Sequence, residues 1–548
     1  MKNIYYNAVI HAKKDMDVEA MGVENERVGF IGTRSEAKEW ENGEDGVWHD
    51  MNGAFIVPGF IDSHLHLLQY GNQLSSPNLT ENTSSINAVV EELFAYKNRN
   101  HKKLGDWVVG SGWNQECFEG EKRLLNRYDL DQVSREQPVI AWRSCRHIAC
   151  ANSAALKAAG ITRDTKNPEG GSIDLDEHGE PTGILRENAI NLVSRFIPAP
   201  EVGEIKHDMV QAMKKLNSYG ITSVQSDDFG AFPGVSYKTV IQAYEELEAE
   251  GLLTVKVYEQ CLLDEKSEFK DFIEKGYRTG KGSAFFAIGP LKIIGDGSLG
   301  ARTALLSAPY ADDKEHPDNC GIAIYSQQEL DEMVSDASKH GMQVAVHAIG
   351  DKAMEMAARS MEKALGGNRN NPLRHGIVHC QITTKALLDT FQRWNLHAYI
   401  QSIFLEHDNH VVEKRLGEER AASTYAFKTF LDLGLDVSNG SDAPVEYPDV
   451  LAGIQCAVTR TTLDGTKTFL PDQSLSVEEA LQTFTSMGAR ASFEEKEKGM
   501  LLPGMAADFT VLSQDIRHCL PGAIKDTKVC RTFVNGTCVY DSEESNNR

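Results

Sequence analysis

Polar residues on alternate positions close an apolar run in Val57-Pro58-Gly59-Phe60-Ile61-Asp62-Ser63-His64-Leu65-His66. In a strand, residues two apart share a face. Asp62, His64 and His66 are therefore expected to point the same way, and two imidazoles at the end of a buried strand can hold one metal ion. A His-x-His pair on a solvent-facing edge strand would read the same in isolation, so the rest of the chain has to discriminate.

Four later apolar runs carry a residue of matching chemistry: Lys292 in Leu291-Lys292-Ile293-Ile294-Gly295-Asp296, His347 in Val344-Ala345-Val346-His347, His379 in Gly376-Ile377-Val378-His379-Cys380, and Asp442 in Ser438-Asn439-Gly440-Ser441-Asp442. A fully buried strand is otherwise rich in Val and Ile, and a buried Lys, Asp or His must be paired or coordinated. Singly, these residues have ordinary readings: a core histidine, an exposed lysine, a helix-capping aspartate. Gathered at the same end of five strands, they indicate one site. Four histidines and an aspartate suit Zn²⁺ or a similar first-row ion. A protonated Lys292 would repel such ions. Its amine can instead combine with CO₂ to give a carbamate, an anionic two-oxygen ligand able to bridge two ions in a hydrolytic centre.

The elements that must position these residues are repeated helix–Gly–strand units. Val210 to Tyr219 ends at Gly220 before Ile221-Thr222-Ser223-Val224, and Leu330 to His340 ends at Gly341 before Gln343-Val344-Ala345-Val346-His347; Gly251 and Gly434 close two more. Glycine just past a helix supplies the left-handed cap that leads into the next strand, and repeated units of this kind indicate parallel strands. Eight strands are expected, near 57–62, 222–226, 253–259, 290–295, 343–347, 375–379, 397–401 and 435–440. They predict an α/β (β/α)8 TIM barrel with its chemistry at the C-terminal strand ends. An open doubly wound sheet is the alternative, disfavoured because no Gly-rich phosphate fingerprint follows the first strand.

Both chain ends read as short strands and turns, including Arg27-Val28-Gly29-Phe30-Ile31 and Ala507-Asp508-Phe509-Thr510-Val511-Leu512. Residues 1–55 and 496–548 are expected to pair as one composite β-sandwich domain, leaving 56–495 as the barrel. Two separate ragged ends are the alternative. Between strands one and two lies an insertion, roughly 70–200, too long for an ordinary connection. It carries Trp113 and Cys145-Arg146-His147 and is expected to form a subdomain near the barrel mouth. The tail from Asp541 to Arg548 is polar and expected to fray.

At 548 residues the chain exceeds one ordinary core. Its 41% hydrophobic and 25% charged content are those of a globular protein. A net charge of −24 argues against a nucleic-acid partner and an anionic membrane surface. The start, Met1-Lys2-Asn3-Ile4-Tyr5, lacks the apolar core of a signal peptide. No stretch is apolar enough to span a membrane, and the ten cysteines form no Cys-x-x-Cys pair. A cytoplasmic protein with reduced thiols is expected, with homo-oligomerisation left open.

With the His64-x-His66 segment, Lys292, the two later histidines and the final Asp442 in view, the chain resembles the amidohydrolase superfamily. More specifically it is similar to the amidohydrolase-3 branch, which includes N-substituted formamide deformylases. Lys292-Ile293-Ile294-Gly295-Asp296-Gly297-Ser298-Leu299-Gly300-Ala301-Arg302 is the most branch-specific stretch, supported by His347-Ala348-Ile349-Gly350-Asp351 and Gly440-Ser441-Asp442-Ala443-Pro444. The likeness spans nearly the whole chain. It implies that His64, His66 and Asp442 hold one divalent ion and His347 and His379 another, with N6-carboxylated Lys292 between them; other superfamily branches work with one ion.

The chemistry that follows is hydrolysis of a non-peptide C–N bond in a small molecule, an amide or N-substituted formamide, with Asp442 as base and then acid. Trp113, His147, Asp296 and Arg302 are candidates for contacts to substrate or to the ligands, beside plain packing or loop roles. Asp351 is expected either to orient His347 or to cap the helix beginning near Lys352. Two other functions use the same residues: a non-catalytic metal-binding or regulatory protein, and a hydrolase of lactones, esters or phosphoesters.

Overall fold

The computed structural model describes residues 2–43, 45–79, 84–99, 107–144, 147–168, 170–263 and 265–545. Cys145, Arg146 and the last three residues of the polar tail lie outside the described residues.

Eight parallel strands run in the order of the chain: Phe60–Leu65, Ile221–Ser226, Lys256–Leu262, Phe286–Ile294, Val344–Ala348, Gly376–His379, His397–Ile400 and Val437–Asn439. Each pairs with the next, and the first with the second, as expected of a βα barrel. The seam between strands eight and one is drawn together just beyond the ladder. Asp442 N–H donates to His64 O at 2.7 Å, and His66 N–H donates to Ala443 O at 2.8 Å. The Asp62 carboxylate, fully buried, accepts the N–H groups of His64 and Ser441 at 3.1 Å. A Cβ at position 440 would lie 2.6 Å from His64 N and 2.7 Å from Asp62 Oδ1, so only glycine lets the two strands approach. The seam thus fixes three of the expected ligands against one another.

The first apolar run is divided between two sheets. Phe55–Pro58 pairs antiparallel with Phe509–Leu512, and the barrel strand begins only at Phe60. Pro58 has no N–H to continue a ladder. Gly59 donates to Asp508 O, and a Cβ there would lie 2.2 Å from Thr222 Oγ1. The strand expected over 57–62 therefore starts three residues later, which still puts His64 and His66 at its end. The third strand likewise runs over Lys256–Leu262 rather than 253–259 and carries Gln260 close to its C-terminal end.

The second sheet holds strands from both chain ends, in the order Thr537–Asp541, Val529–Val534, Phe509–Leu512, Phe55–Pro58, Asn3–Lys13, Met16–Glu24 and Arg27–Gly32, with Val47–Asp50 beside Asn3–Lys13. Its core stacks Phe509 on Phe533 at 4.2 Å between ring centres, and Tyr5 meets both edge-on. A buried ion pair, Lys256 Nζ to Asp508 Oδ2 at 2.6 Å, ties this sheet to the third barrel strand.

Residues 68–212 and 231–243 form a compact unit of their own. It contains a five-stranded sheet in the order Gly171–Leu175, Pro181–Glu187, Ile148–Ala151, Val139–Arg143 and Val108–Trp113. Its apolar clusters gather on Leu93, Trp113 and Val139, and on Ile140, Leu156 and Leu185. Among the described residues no helix is long and apolar enough to cross a membrane.

Candidate metal centre

The ends of strands one, four, five, six and eight bring His64, His66, Lys292, His347, His379 and Asp442 together. Asp442 Oδ1 lies 3.1 Å from His66 Nε2 and 3.3 Å from His64 Nε2. Lys292 Nζ is 3.1 Å from His64 Nε2. His379 Nε2 is 2.8 Å from His347 Nδ1, and the His64 and His379 rings are 5.5 Å apart. Tetrahedral ligands held ~2.0–2.1 Å from a zinc ion lie about 3.3 Å from each other. The ligand atoms of His64, His66 and Asp442 all fall within 4.8 Å of one another. The donor set and its spacing thus fit a divalent ion.

Each imidazole is also aimed from behind. The outer N–H of His64, on Nδ1, donates to Gln260 Oε1 at 2.8 Å. His66 Nδ1–H donates to the carbonyl of Asp227 at 3.1 Å. His379 Nδ1–H donates to Gln401 Oε1 at 2.8 Å, and His347 Nε2–H to the carbonyl of Gly297 at 3.2 Å. With the outer nitrogen carrying the proton, the inner one presents its lone pair to the centre, which is how protein acceptors orient metal-bound histidine. The inner atom is Nε2 in three rings and Nδ1 in His347.

The electrostatics match. Burial, reinforced by Lys292, lowers His64 to about 3 and His347 to about 4, and burial holds His379 well below the ordinary histidine value. These three rings are neutral at pH 7 and free to ligate. Burial also lowers Lys292. Burial works against ionised Asp442, but the imidazoles of His64 and His66 beside it hold its carboxyl well below the usual range. His66 goes the other way, to about 9, because its bond to Asp442 outweighs burial. A cation entering here would displace the His66 proton, so binding releases protons. His379 and Asp442 both take left-handed backbone, at φ +81° and +61°, a conformation non-glycine residues adopt where the surroundings demand it.

The remaining expected residues fall in different places. Asp296, 1% exposed, accepts the N–H groups of Leu305, Ile349 and Gly350, and its Oδ1 is 3.4 Å from His347 Nε2. Burial raises it to about 6 against those three amides. It therefore ties the loops after strands four and five behind His347. Asp351 opens the helix Asp351–Leu365 and accepts the N–H and O–H of Ser307, while the outer nitrogen of His347 is taken by Gly297. Arg302 forks onto Asp312 at 3.0 and 3.1 Å. Trp113 and His147 belong to the insertion unit. There Trp113 is fully buried and donates its indole N–H to Ala141 O, and His147 is exposed and paired with Glu187 at 2.8 Å.

Sequence reasoning did not name Gln260, Gln401 or Asp227, each a polar residue near or just past the C-terminal end of a barrel strand. It also passed over Phe404, whose ring stacks on His379 at 5.9 Å.

The chain is similar to known proteins over nearly its whole length. A family model described as "Amidohydrolase family" matches residues 49–540. A Bacillus subtilis (strain 168) protein named "Putative amidohydrolase YtcJ" is 34% identical, with 99% of this chain and all of that protein aligned. The N-substituted formamide deformylase of Arthrobacter pascens is 27% identical over 95% of each chain. A solved metal-dependent hydrolase of Pyrococcus furiosus, itself uncharacterized, superposes with a TM-score of 0.79 at 29% identity, covering 94% of this chain and all of that one.

Proposed function

The chain belongs to the amidohydrolase family, and on that premise we propose that it hydrolyses a C–N bond other than a peptide bond in a small neutral substrate. An N-substituted formamide is the leading candidate, supported by the name of the Arthrobacter pascens relative. The observation that carries the reading is the inward aim of four neutral-capable imidazoles, each with its outer N–H satisfied, around Asp442.

In this reading His64, His66 and Asp442 hold one divalent ion, zinc by donor type, and His347 and His379 hold a second. Lys292 lies between them as an N6-carboxylate: its Nζ lone pair bonds the carbon of CO₂, one proton leaves the nitrogen, and one N–H remains. Such a centre supplies a water of lowered pKa and a Lewis acid for the substrate carbonyl. Asp442 takes the proton of the attacking water and returns it to the departing nitrogen. Burial of His64, His379 and Lys292 keeps bulk water from competing for the developing charge. Asp296 and the two glutamines hold the ligands in place. The ends of the chain pair as one composite β-sandwich domain, and the enzyme works in the cytoplasm.

The test is turnover of a panel of N-substituted formamides, acyl amines, cyclic imides, lactones, esters and phosphoesters by the metal-loaded chain. Amide turnover that is abolished by chelation, and lowered ~10²–10⁴-fold in kcat by Asp442→Asn, is expected. Turnover confined to esters, lactones or phosphoesters would overturn the assignment of the bond. Tight metal binding with no turnover at all would favour a regulatory protein on this scaffold.

A further inference from the structure

Asp227 follows the second barrel strand and is bound to the metal centre through its backbone. Its N–H donates to Leu65 O at 2.9 Å, and its carbonyl accepts the outer N–H of His66 at 3.1 Å. The preceding residue adds a third tie, Ser226 Oγ accepting from Leu67 N–H at 2.8 Å. This corner cannot move without moving the end of strand one.

The side chain does something the backbone does not. It is 3% exposed, and its Oδ2 lies 3.7 Å from Lys292 Nζ while its Oδ1 has no hydrogen-bond partner. Other buried aspartates nearby are accounted for: Asp228 accepts from Tyr244 O–H at 2.6 Å, Asp62 from two backbone amides and Asp296 from three. A buried carboxylate oxygen left without a partner is costly, so Asp227 is retained against a penalty.

Lys292 gives the carboxylate a role. Its Nζ lies 3.1 Å from His64 Nε2 and 3.7 Å from Asp227 Oδ2. An ion held by His64 takes the lone pair of Nε2, which can then no longer accept from lysine. Lys292 Nζ keeps at least one N–H in every form it can adopt: three in the ammonium, one in the carbamate. In a site this buried that N–H needs an acceptor, and the Asp227 carboxylate, with one oxygen unpartnered, is placed to provide it.

We propose that Asp227 is the positioning residue of Lys292, its carboxylate accepting the remaining Nζ–H and so turning the carboxylate carried by that nitrogen toward the ions. This role rests on the proposed carboxylation of Lys292. It requires an acceptor at position 227, not a negative charge. Asp227→Asn retains an acceptor oxygen, whereas Asp227→Leu fills similar space with none.

The experiment loads full-length wild type, Asp227→Asn and Asp227→Leu with zinc in ¹³C-bicarbonate. Carbamate carbon is read by NMR and bound zinc by elemental analysis, with circular dichroism to establish folding. Wild type and Asp227→Asn should show comparable carbamate signal and zinc content. Asp227→Leu should lose at least tenfold of the signal and retain one ion fewer. A folded Asp227→Leu with wild-type signal and zinc overturns the role. So does a folded Asp227→Asn that has lost the signal, a result that stands even if the leucine variant does not fold. Absence of carbamate from active wild-type protein overturns the Lys292 reading and this role with it, while leaving the hydrolytic assignment intact.

Discussion

Replacing Gln401 by leucine should selectively weaken binding of the ion proposed for His347 and His379. Gln401 Oε1 accepts the outer N–H of His379 at 2.8 Å, and both residues are 2% exposed. Leucine cannot accept that bond. A buried donor left unsatisfied costs about 1–3 kcal/mol, or about 5–150-fold in an equilibrium constant. If the ring instead moves its proton to Nε2, that proton faces His347 Nδ1 and must be lost before an ion binds, at a similar cost. Either way affinity for the ion at His347 and His379 should fall about 10–100-fold, in the range seen for removal of such orienting groups. The folded state should suffer less, because Gln401 Nε2 has no hydrogen-bond partner and leucine relieves that buried donor. The assay is competition for zinc with a chelating dye at fixed pH, alongside thermal melting of the metal-free protein. Gln260→Leu, which strips His64 of the equivalent partner, should weaken the first ion by the same logic. A folded Gln401→Leu variant whose weaker zinc affinity stays within twofold of wild type would refute the argument that these amides orient the rings.

Two further outcomes follow from packing and burial. Truncation after residue 495 removes Phe509 and Phe533, which stack on each other and against Tyr5, and the strand paired with Phe55–Pro58; the shortened chain should aggregate, and a soluble, monodisperse product with an unchanged melting temperature would contradict the pairing of the chain ends. His375 and His397 are buried and lowered by that burial to about 4 from an unfolded value near 6.5, so the unfolded chain binds more protons between those values. Their contribution to stability is therefore whole above pH 6.5 and is lost as pH falls toward 4, by about 3 kcal/mol per histidine at most. Urea midpoints measured from pH 7 to 4.5 should fall, less steeply in His397→Gln, and a flat profile would count against it.

The residues that meet at the strand ends were legible because their signal is local. Period-two spacing puts His64 and His66 on one face, and a charged or imidazole side chain stands out against runs such as Val344-Ala345-Val346. The barrel was legible for a related reason: glycines such as Gly220 and Gly341, which take left-handed φ of +79° and +74°, punctuate each helix before its strand. What stayed hidden depends on register and on loops meeting in space. The third strand slides three residues beyond its expected start, so Gln260 did not read as a strand-end residue. Asp227 and Gln401 are common polar residues whose meaning lies in what they face. Asp351 is adjacent to the His347 strand in sequence, yet Asp296 and Gly297, some fifty residues earlier, sit behind that ring because the loops after strands four and five meet there. The division of Val57 to His66 between two sheets was written in Pro58-Gly59, but only the close approach of Thr222 shows why the break falls there.

Whether these side chains form one metal centre serving hydrolysis is decided by diffraction from crystals of active, gently purified protein, collected on both sides of the zinc absorption edge. Anomalous density is expected ~2.0–2.2 Å from His64 Nε2, His66 Nε2 and an Asp442 oxygen, with a second peak, where present, at His347 Nδ1 and His379 Nε2. Fully active crystals with no anomalous peak among these residues at the edge of zinc or of any other first-row metal would contradict it.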